Sequence, residues 1–463
     1  MKDQSRGTDE HSSRETAPIL ARLLYISAQH PLIGSPGSKR LTRFLMHLPD
    51  HGWGATVLTQ PILPWHYRPD TTYQEVFRAP HRVVSVPSID LDNLLRFRRW
   101  IMGRVKGLVK RSANQRGDSS GANTIETTAR FESFWNWFAV PDHTAGWGLT
   151  ALPCGVCLAL RSRAILATAP DWSNLLLGYD ISRIARRPLV LDLRDPWSLG
   201  RLMPTSPKWR PGFDTGLEKR VFTHATTVIL NTDRTREAYA EKYPELAHKF
   251  AVITNGYEPW APGECPEHID PGKFQLVHVG HMTTDTKNPT CLFEALREFL
   301  SICPEARDLL QVLIVGNLRA DYHDTARRFE VDQYIHTIGA VPHKTALDYT
   351  SHAPILLLLG QMGKGDELIA HAKTYEYLAS QRPIIATLPS EGANMDLLRK
   401  HDAGMVFEVT DPPAIARGLA KAFALWRKGE LPTLESAPTY YSSVELTRRL
   451  ADLLDSACGE AGE

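Results

Sequence analysis

The sequence is poor in cysteine and has no long apolar run. Six cysteines in 463 residues are too few for a disulfide framework, which favours a reducing compartment. The lone pair Cys154 and Cys157 has no second pair to complete a metal site, so core or surface thiols are favoured over zinc or redox use. No run approaches the ~18 apolar residues of a spanning helix, and residues 1–20 lack the apolar centre of a signal peptide. We therefore expect a cytoplasmic protein.

The sequence also lacks an excess of either charge. It has 53 basic and 52 acidic residues, which argues against a nucleic-acid partner that binds a wholly cationic surface. It contains no phosphate-binding P-loop, no Gly-x-Ser-x-Gly elbow and no His-Glu-x-x-His helix. Its Asp-x-Asp triplet, Asp90 to Asp92, opens a basic segment and looks incidental. We expect neither a metal site nor a bound cofactor.

Short apolar runs alternate with helical patterns along most of the chain, and the series restarts after a linker rich in Pro and Gly. Alternation of this kind predicts a parallel sheet covered on both faces, and a chain of this length predicts more than one core. The fold class is therefore α/β, with two doubly wound, Rossmann-like domains. The predicted units are a disordered extension (1–20), a first domain (21–258) with a mobile insertion at about 113–126, a second domain (273–430), and a C-terminal helix and tail (431–463).

A basic amphipathic segment precedes the insertion. Leu91–Arg111 carries seven Lys and Arg residues against a single acid, Asp92, together with apolar residues that include Trp100. Such a pattern suits an anionic membrane surface. A helix packed on its own domain with a solvated basic face explains the pattern equally well, and both interpretations stay open.

The segment His371–Ala386 is the most informative part of the chain. It predicts a helix that ends at a Gln-Arg-Pro turn and leads into a buried strand. A carboxylate at Glu376, near the C-terminal edge of a parallel sheet, is placed to accept hydrogen bonds from the two hydroxyls of a ribose. Lys373 and the helix N-terminus are placed to meet phosphate. The competing interpretation of Glu376 is an ordinary surface residue of an amphipathic helix.

A second polar group follows the apolar run that starts at Pro188. Asp192, Arg194 and Asp195 are expected at the C-terminal edge of the first sheet, either as a structural ion-pair cluster or as an acceptor site. In the second case Asp195 orients or deprotonates an acceptor hydroxyl and Arg194 shapes the cleft. His30 is another candidate base, and Asp142 lines the acceptor cleft or caps a helix.

Five segments in the expected order resemble the two-domain glycosyltransferases of the GT-B fold, most closely the large retaining family 4. The similarity covers roughly residues 22–454. Its segments are the glycine loop with Arg40, Leu191-Asp-Leu-Arg-Asp-Pro-Trp197, Ile253-Thr-Asn-Gly-Tyr-Glu258, Val279-Gly280 to Lys287-Asn288, and Lys373-Thr-Tyr-Glu376-Tyr-Leu-Ala379. The second of these is similar to a stretch of the polysaccharide-assembling branch.

The resemblance implies a site made from both domains. The implied catalytic residues are Asp195, Glu367 and His30, and the implied acceptor-side residues are Arg194 and Asp142. The implied donor-binding residues are Gly34, Gly37, Gly280, His281, Lys287, Lys373, Tyr375 and Glu376.

The chain departs from the family's pattern at two positions. The family often has a first glutamate eight positions before the residue that matches Glu376, but this position is Leu368. The acidic role is therefore unassigned or shifted to Glu367 or Asp366. His281 stands where the family often has arginine, so positive charge on the diphosphate rests on Lys287.

The expected activity is metal-independent transfer of a sugar, with retention, from a nucleotide-sugar donor to a lipid-linked or glycan acceptor at the inner face of a bacterial membrane. The implied role is assembly of cell-surface polysaccharide or glycoconjugate. The alternatives are a sugar-nucleotide epimerase or hydrolase on the same fold, and a non-catalytic partner subunit.

Overall fold

The structure, a computed structural model, describes residues 21–33, 36–63, 81–89, 98, 140–200, 207–283 and 288–460. Gly34, Lys287, the insertion 113–126 and all of Leu91–Arg111 except Arg98 lie outside these residues, so the predictions made for them stay predictions. No helix within the described ranges is long and apolar enough to cross a membrane.

The strands form two sheets. The first contains β1 (Ala21–Ile26), β2 (Trp53–Thr59), β3 (Arg82–Ser85), β4 (Ala164–Ala169), β5 (Leu189–Leu193), β6 (Thr227–Leu230) and β7 (Phe250–Val252). The second contains β8 (Phe274–Val279), β9 (Leu310–Val315), β10 (Ile335–Thr337), β11 (Ile355–Leu359), β12 (Ile384–Leu388) and β13 (Met405–Glu408).

The helices lie mainly between consecutive strands. Those of the first half are α1 (Pro36–His47), α2 (Ala145–Ala159), α3 (Trp172–Ala185), α4 (Arg210–His224) and α5 (Asp233–Lys242). Those of the second half are α6 (Thr290–Ile302), α7 (Ala320–Arg328), α8 (His343–His352), α9 (Ala372–Ser380), α10 (Ala393–Lys400), α11 (Pro412–Lys428) and α12 (Ser443–Glu460).

Both sheets have doubly wound order. The first runs β3-β2-β1-β4-β5-β6-β7 and the second β10-β9-β8-β11-β12-β13, with every neighbouring pair parallel. The strand order reverses between β1 and β4 and again between β8 and β11. Ligands of such sheets bind outside the carboxyl ends of the strands at these reversals. The topology therefore directs attention to the segments that follow β1, β4, β8 and β11.

Burial on both faces explains why most of the strand residues are apolar. Every residue of β2, β4, β5, β11 and β12 is buried, as expected where helices cover a parallel sheet on both sides. The strands were predicted from these runs. β13 was missed because it is short and only partly buried.

The C-terminal helix returns to the first domain. Leu446, Leu450 and Leu454 of α12 belong to the apolar cluster formed by α1 and one face of the first sheet. The indole N–H of Trp53 donates to Asp455 of the same helix at 3.2 Å. The C-terminal helix predicted within 431–463 is therefore Ser443–Glu460, and it packs on the first domain.

Candidate functional site

The chain bends directly after β8 at Gly280, and this bend, the Gly280 turn, lies so close to Gly316 after β9 that neither position has room for a side chain. Gly280 and Gly316 have φ angles of +140° and +156°, which favour glycine. A Cβ on Gly316 would lie 2.3 Å from the carbonyl oxygen of Gly280, and a Cβ on Gly280 would lie 2.5 Å from Nζ of Lys373. The turn therefore brings main chain and a lysine ammonium together at the end of β8.

Lys373 reaches this turn from the first turn of α9. Its Nζ lies 3.2 Å from Nε2 of the buried His278, whose Nδ1 lies 2.9 Å from the carbonyl oxygen of Leu357. One turn further along α9, the hydroxyl of Tyr377 accepts a hydrogen bond from the main-chain N–H of Val279 at 2.9 Å. One face of α9 is thus fixed against the end of β8, and Lys373 and Gly280, both predicted to bind the donor, lie together.

Glu376 follows Lys373 by three residues on α9 and contacts the first domain. Its Oε1 is 2.8 Å from the guanidinium of Arg43 in the first domain and 3.9 Å from Nε2 of His343. Burial by itself raises the pKa of Glu376, but Arg43, His343 and Lys39 outweigh burial and hold the pKa below its usual value. Since the side chain is only 16% exposed, the surface-residue interpretation was wrong, and an ionised carboxylate faces the cleft.

Arg43 belongs to a basic stripe on α1 that contacts the segment between the domains. Arg40 donates to the carbonyl oxygens of Ile253 and Thr254, and Arg43 donates to that of Gly256. His47 lies 3.1 Å from the carboxylate of Glu258. Basic residues at positions i, i+3 and i+7 thus line one helix face. Arg43 connects this segment to Glu376 of the second domain.

The loop after β11 carries the displaced acidic candidate. Glu367 lies in a short 3-10 turn, Asp366–Leu368, and its Oε2 accepts a hydrogen bond from the N–H of Gly365 at 2.9 Å. A Cβ on Gly365 would lie 2.9 Å from the carbonyl oxygen of Leu199 in the first domain. Glu367 is therefore exposed at a point where the two domains touch.

Hydroxyl groups from the first domain hold the same loop. Thr232 and Thr235 donate to the carbonyl oxygen of Leu368 at 2.6 and 2.8 Å. Close by, the guanidinium of Arg234 pairs with the carboxylate of Asp396. These bonds are made by the main chain of Leu368. The contact between the domains therefore forms although this position has leucine instead of the family's glutamate.

On the first-domain side, Asp195 follows β5 at the carboxyl edge of the first sheet. Burial raises the pKa of Asp195, against the opposing influence of the Arg194 guanidinium. Arg194 itself donates to the carbonyl oxygens of Ala169 and Pro170, each at 3.2 Å. Asp195 therefore suits a proton acceptor, whereas Arg194 fixes the segment after β4.

The predicted ion-pair cluster of Asp192, Arg194 and Asp195 is different in the structure. Asp192 is fully buried and binds the guanidinium of Arg40 at 2.8 Å and the hydroxyl of Thr168 at 3.1 Å. The side chain of Arg40 is therefore used inside the first domain. Gly37, predicted in the glycine loop, lies in the first turn of α1.

His30 and Asp142 have surroundings that limit the roles proposed for them. Burial lowers the pKa of His30 to about 4, and its Nδ1 accepts the N–H of Leu32 at 3.2 Å, so the ring is a weak base at neutral pH. Asp142 accepts hydrogen bonds from the N–H and hydroxyl groups of both Thr144 and Ser173. These bonds favour the helix-capping alternative for Asp142.

Two predicted donor-binding side chains are turned to other partners. The ring of Tyr375 is 2% exposed and packs edge-on against Tyr441, with ring centroids 5.1 Å apart. It lies in the core of the second domain and does not accompany Lys373 at the Gly280 turn. His281 is exposed, but its Nδ1 accepts the N–H of Asn317 at 3.0 Å, so this ring nitrogen links the segments after β8 and β9.

Sequence reasoning missed a buried carboxylate that supports the segment after β5. Glu218 of α4 is 0% exposed and accepts hydrogen bonds from the hydroxyls of Tyr239 and Tyr243 at 2.7 and 2.9 Å. It also accepts the main-chain N–H of Ser198 at 2.8 Å, and its other oxygen accepts the Ser198 hydroxyl and the ammonium of Lys242. This cluster fixes the chain just after Asp195.

No cluster of three or more His, Cys, Asp or Glu side chains among the described residues is arranged to hold a metal ion. Cys154 and Cys157 are free thiols on α2.

Solved structures with the same architecture cover nearly the whole chain. Sucrose-phosphate synthase from Thermosynechococcus elongatus aligns with a TM-score of 0.60 and 13% identity over 96% of this chain and 97% of that one. Anabaena HepE in complex with UDP and glucose aligns with a TM-score of 0.58 and 16% identity over 94% and 99%. A UDP-N-acetylglucosamine 2-epimerase described as putative, from Listeria monocytogenes, aligns with a TM-score of 0.55 and 10% identity over 95% and 97%.

These likenesses establish the class of fold: two doubly wound domains in the GT-B arrangement. Residues 273–424 match the family model described as glycosyl transferases group 1. No curated protein matched the sequence. The second domain thus matches a group 1 glycosyl transferase domain, and the chain has the GT-B fold.

Proposed function

We propose that this enzyme transfers a sugar from a nucleotide-sugar donor to a lipid-linked or glycan acceptor. One observation carries the proposal: α9 presents Lys373 at the Gly280 turn and Glu376 toward the first domain. A cation beside a glycine turn suits a diphosphate, and an ionised carboxylate three residues further along the helix suits the hydroxyls of a ribose. Helix α9 follows β11, which pairs with β8 at the strand reversal of the second sheet, where ligands of such folds bind.

The donor is held in this proposal by the second domain. Its diphosphate lies at Gly280, with Lys373 and Lys287 as the countercharges and His281 at the edge. Its ribose hydroxyls bind Glu376. The similar fold of Anabaena HepE, whose structure contains UDP and glucose, supports a uridine nucleotide as the first donor to test.

In the proposed reaction, the bond between the sugar's anomeric carbon and the phosphate oxygen breaks, and its electron pair leaves with the nucleoside diphosphate. The acceptor hydroxyl oxygen bonds to the anomeric carbon with net retention. Its proton passes to the leaving phosphate or to Asp195. The raised pKa of Asp195 supports its role as proton acceptor, and Glu367 is the candidate carboxylate beside the transferred sugar.

The acceptor class rests on the sequence. The stretch from Leu191 to Trp197 is similar to one found in enzymes that assemble polysaccharides, which favours a lipid-linked or glycan acceptor and a role in bacterial cell-surface biosynthesis. Such an acceptor fits a cytoplasmic enzyme that is peripheral on the inner face of the membrane. Leu91–Arg111 is the proposed membrane contact.

A two-stage experiment tests this function. Thermal shifts across a panel of nucleotide sugars first identify the donor, and radiolabelled donor is then incubated with polyprenyl-linked glycans and with water alone. We expect label to enter the lipid fraction, with stoichiometric release of nucleoside diphosphate. Conversion of the donor into an isomeric nucleotide sugar supports the epimerase alternative, release of free sugar alone supports a hydrolase, and absence of nucleotide binding rejects the proposed donor site.

A further inference from the structure

We propose that His278 is a positioning residue of the donor site. In this inference, which rests on the proposed function, the ring holds the ammonium of Lys373 over Gly280, where it meets the donor's phosphate oxygens.

The hydrogen-bond geometry fixes the protonation state of the ring. Nδ1 of His278 lies 2.9 Å from the carbonyl oxygen of Leu357, and a carbonyl only accepts, so Nδ1 carries a proton. Nε2 lies 3.2 Å from the ammonium of Lys373, and an ammonium only donates, so Nε2 offers its lone pair. His278 is therefore neutral, because a second ring proton would point at the ammonium.

Because the ring of His278 is fixed by its surroundings, it holds the ammonium of Lys373 in one position. His278 is 0% exposed in the middle of the second sheet, next to β11, so its ring cannot follow a moving lysine. Nζ of Lys373 lies 2.5 Å from the position that a Cβ on Gly280 would take, and thus beside the main chain at Gly280. A flexible lysine side chain loses considerable rotamer freedom when it is ordered. A fixed acceptor orders it before the donor arrives, which lowers the entropy cost of binding.

Two substitutions of His278 test the roles of its two ring nitrogens separately. His278→Gln places its amide near Nε2 and keeps an acceptor for Lys373. His278→Asn places its amide near Nδ1, which keeps the bond to Leu357 but leaves the ammonium without this acceptor. Tyr377→Phe is the matched control, since it removes the other bond between α9 and β8 without touching Lys373.

The readout is the ratio of the dissociation constants for UDP and uridine, measured by calorimetry with the full-length protein. Uridine lacks the diphosphate, so a defect in Lys373 weakens UDP binding and leaves uridine binding unchanged. We expect a loss of roughly tenfold in UDP affinity for His278→Asn and a similar or larger loss for Lys373→Met, the scale of a hydrogen bond to a charged group. His278→Gln should stay within about threefold of the wild type, and Tyr377→Phe should lower only the melting temperature.

Equal UDP affinity in His278→Asn and the wild type overturns the inference, as does a further loss when His278→Asn is added to Lys373→Met. Selective ¹⁵N labelling of the wild-type histidines gives a reading that does not depend on how the variants fold. The His278 signal, assigned from its absence in His278→Gln, must show a neutral ring with the proton on Nδ1. Failure of the wild type to bind any nucleoside diphosphate rejects the proposed function instead.

Discussion

Breaking the ion pair between Arg43 and Glu376 should weaken both nucleotide binding and the contact between the domains. The two side chains are 11% and 16% exposed, and the charged atoms are 2.8 Å apart. Removal of one partner from a buried pair costs roughly 3–5 kcal/mol, because the remaining charge stays buried. Loss of hydrogen bonds from a charged group to a ligand costs roughly 1.5–3 kcal/mol. We therefore expect Glu376→Ala to lower the free energy of unfolding by about 3 kcal/mol and nucleotide affinity by about 1–3 kcal/mol.

A double-mutant cycle separates the two effects. Arg43→Met and Glu376→Gln are each compared with the wild type and with the double variant, by urea unfolding and by UDP calorimetry. The unfolding costs should be non-additive, because the double variant leaves neither charge unpaired. The loss of UDP affinity should follow Glu376, since the ribose binds this carboxylate in our proposal. Glu445→Ala, which breaks the exposed pair with Arg448, is the matched control and should change stability little.

The pH dependence of stability provides a second test of the pair between Arg43 and Glu376. The pKa of Glu376 is lowered in the folded protein, so the pair stabilises the fold above the unfolded pKa, and this contribution is lost as pH falls through the folded value. The wild type should therefore lose more stability than Glu376→Gln when the pH is lowered from 7 to below about 4. Additive unfolding costs in the cycle would refute the structural reasoning. Wild-type UDP affinity in Glu376→Ala would refute the ribose assignment.

Three further predictions concern other parts of the chain. The hydrogen bond to Glu258 raises the pKa of His47 in spite of its burial. This contact therefore stabilises the protein most below pH ~6.5 and loses its effect as pH rises through the raised pKa. The free energies of unfolding in urea of the wild type and His47→Gln should differ less at pH 9 than at pH 6. Sugar transfer should persist in EDTA, because in our proposal Lys373 and Lys287 supply the positive charge that stabilises the leaving diphosphate. Loss of activity with EDTA and its return with Mg²⁺ or Mn²⁺ would contradict this. Serine substitution of Arg96, Arg98, Arg99 and Arg104 in Leu91–Arg111 should release the protein from anionic vesicles in a flotation assay and leave UDP affinity unchanged. Binding that is equally tight on neutral vesicles would favour a segment packed on its own domain.

The sequence was most informative where local pattern and buried surface agree. Strand β11 (Ile355–Leu359) can be recognised from the sequence, because every residue in it is aliphatic and buried. Helix α9 was recognised from its apolar spacing, and it ends at Gln381, whose φ of +58° terminates the helix just before Pro383. The closeness of Lys373 and Glu376 on the surface of this helix follows from its period alone, since residues i and i+3 are neighbours.

The partners of those residues could not be predicted in the same way. Arg43 and Glu376 are separated by 333 positions, and nothing local to either residue indicates the other. The burial of Tyr375 against Tyr441 likewise depends on where the C-terminal segment lies. One signal was present in the sequence: Arg40, Arg43 and His47 form a basic stripe on a helix whose other side is apolar. A charged stripe at that spacing usually means a solvated surface, and only the fold shows what covers it.

The basic stripe on α1 holds the segment that connects the two domains. Its three basic side chains hold the connecting segment from Ile253 to Glu258 through three main-chain hydrogen bonds and one carboxylate. The serine that begins α12, Ser443, also donates to Glu258, so the helix that returns to the first domain holds the same segment. Since Arg43 also binds Glu376, the connection between the domains and the carboxylate proposed to bind ribose share one guanidinium. A ribose that binds Glu376, as proposed, therefore competes with Arg43, which also holds the connecting segment.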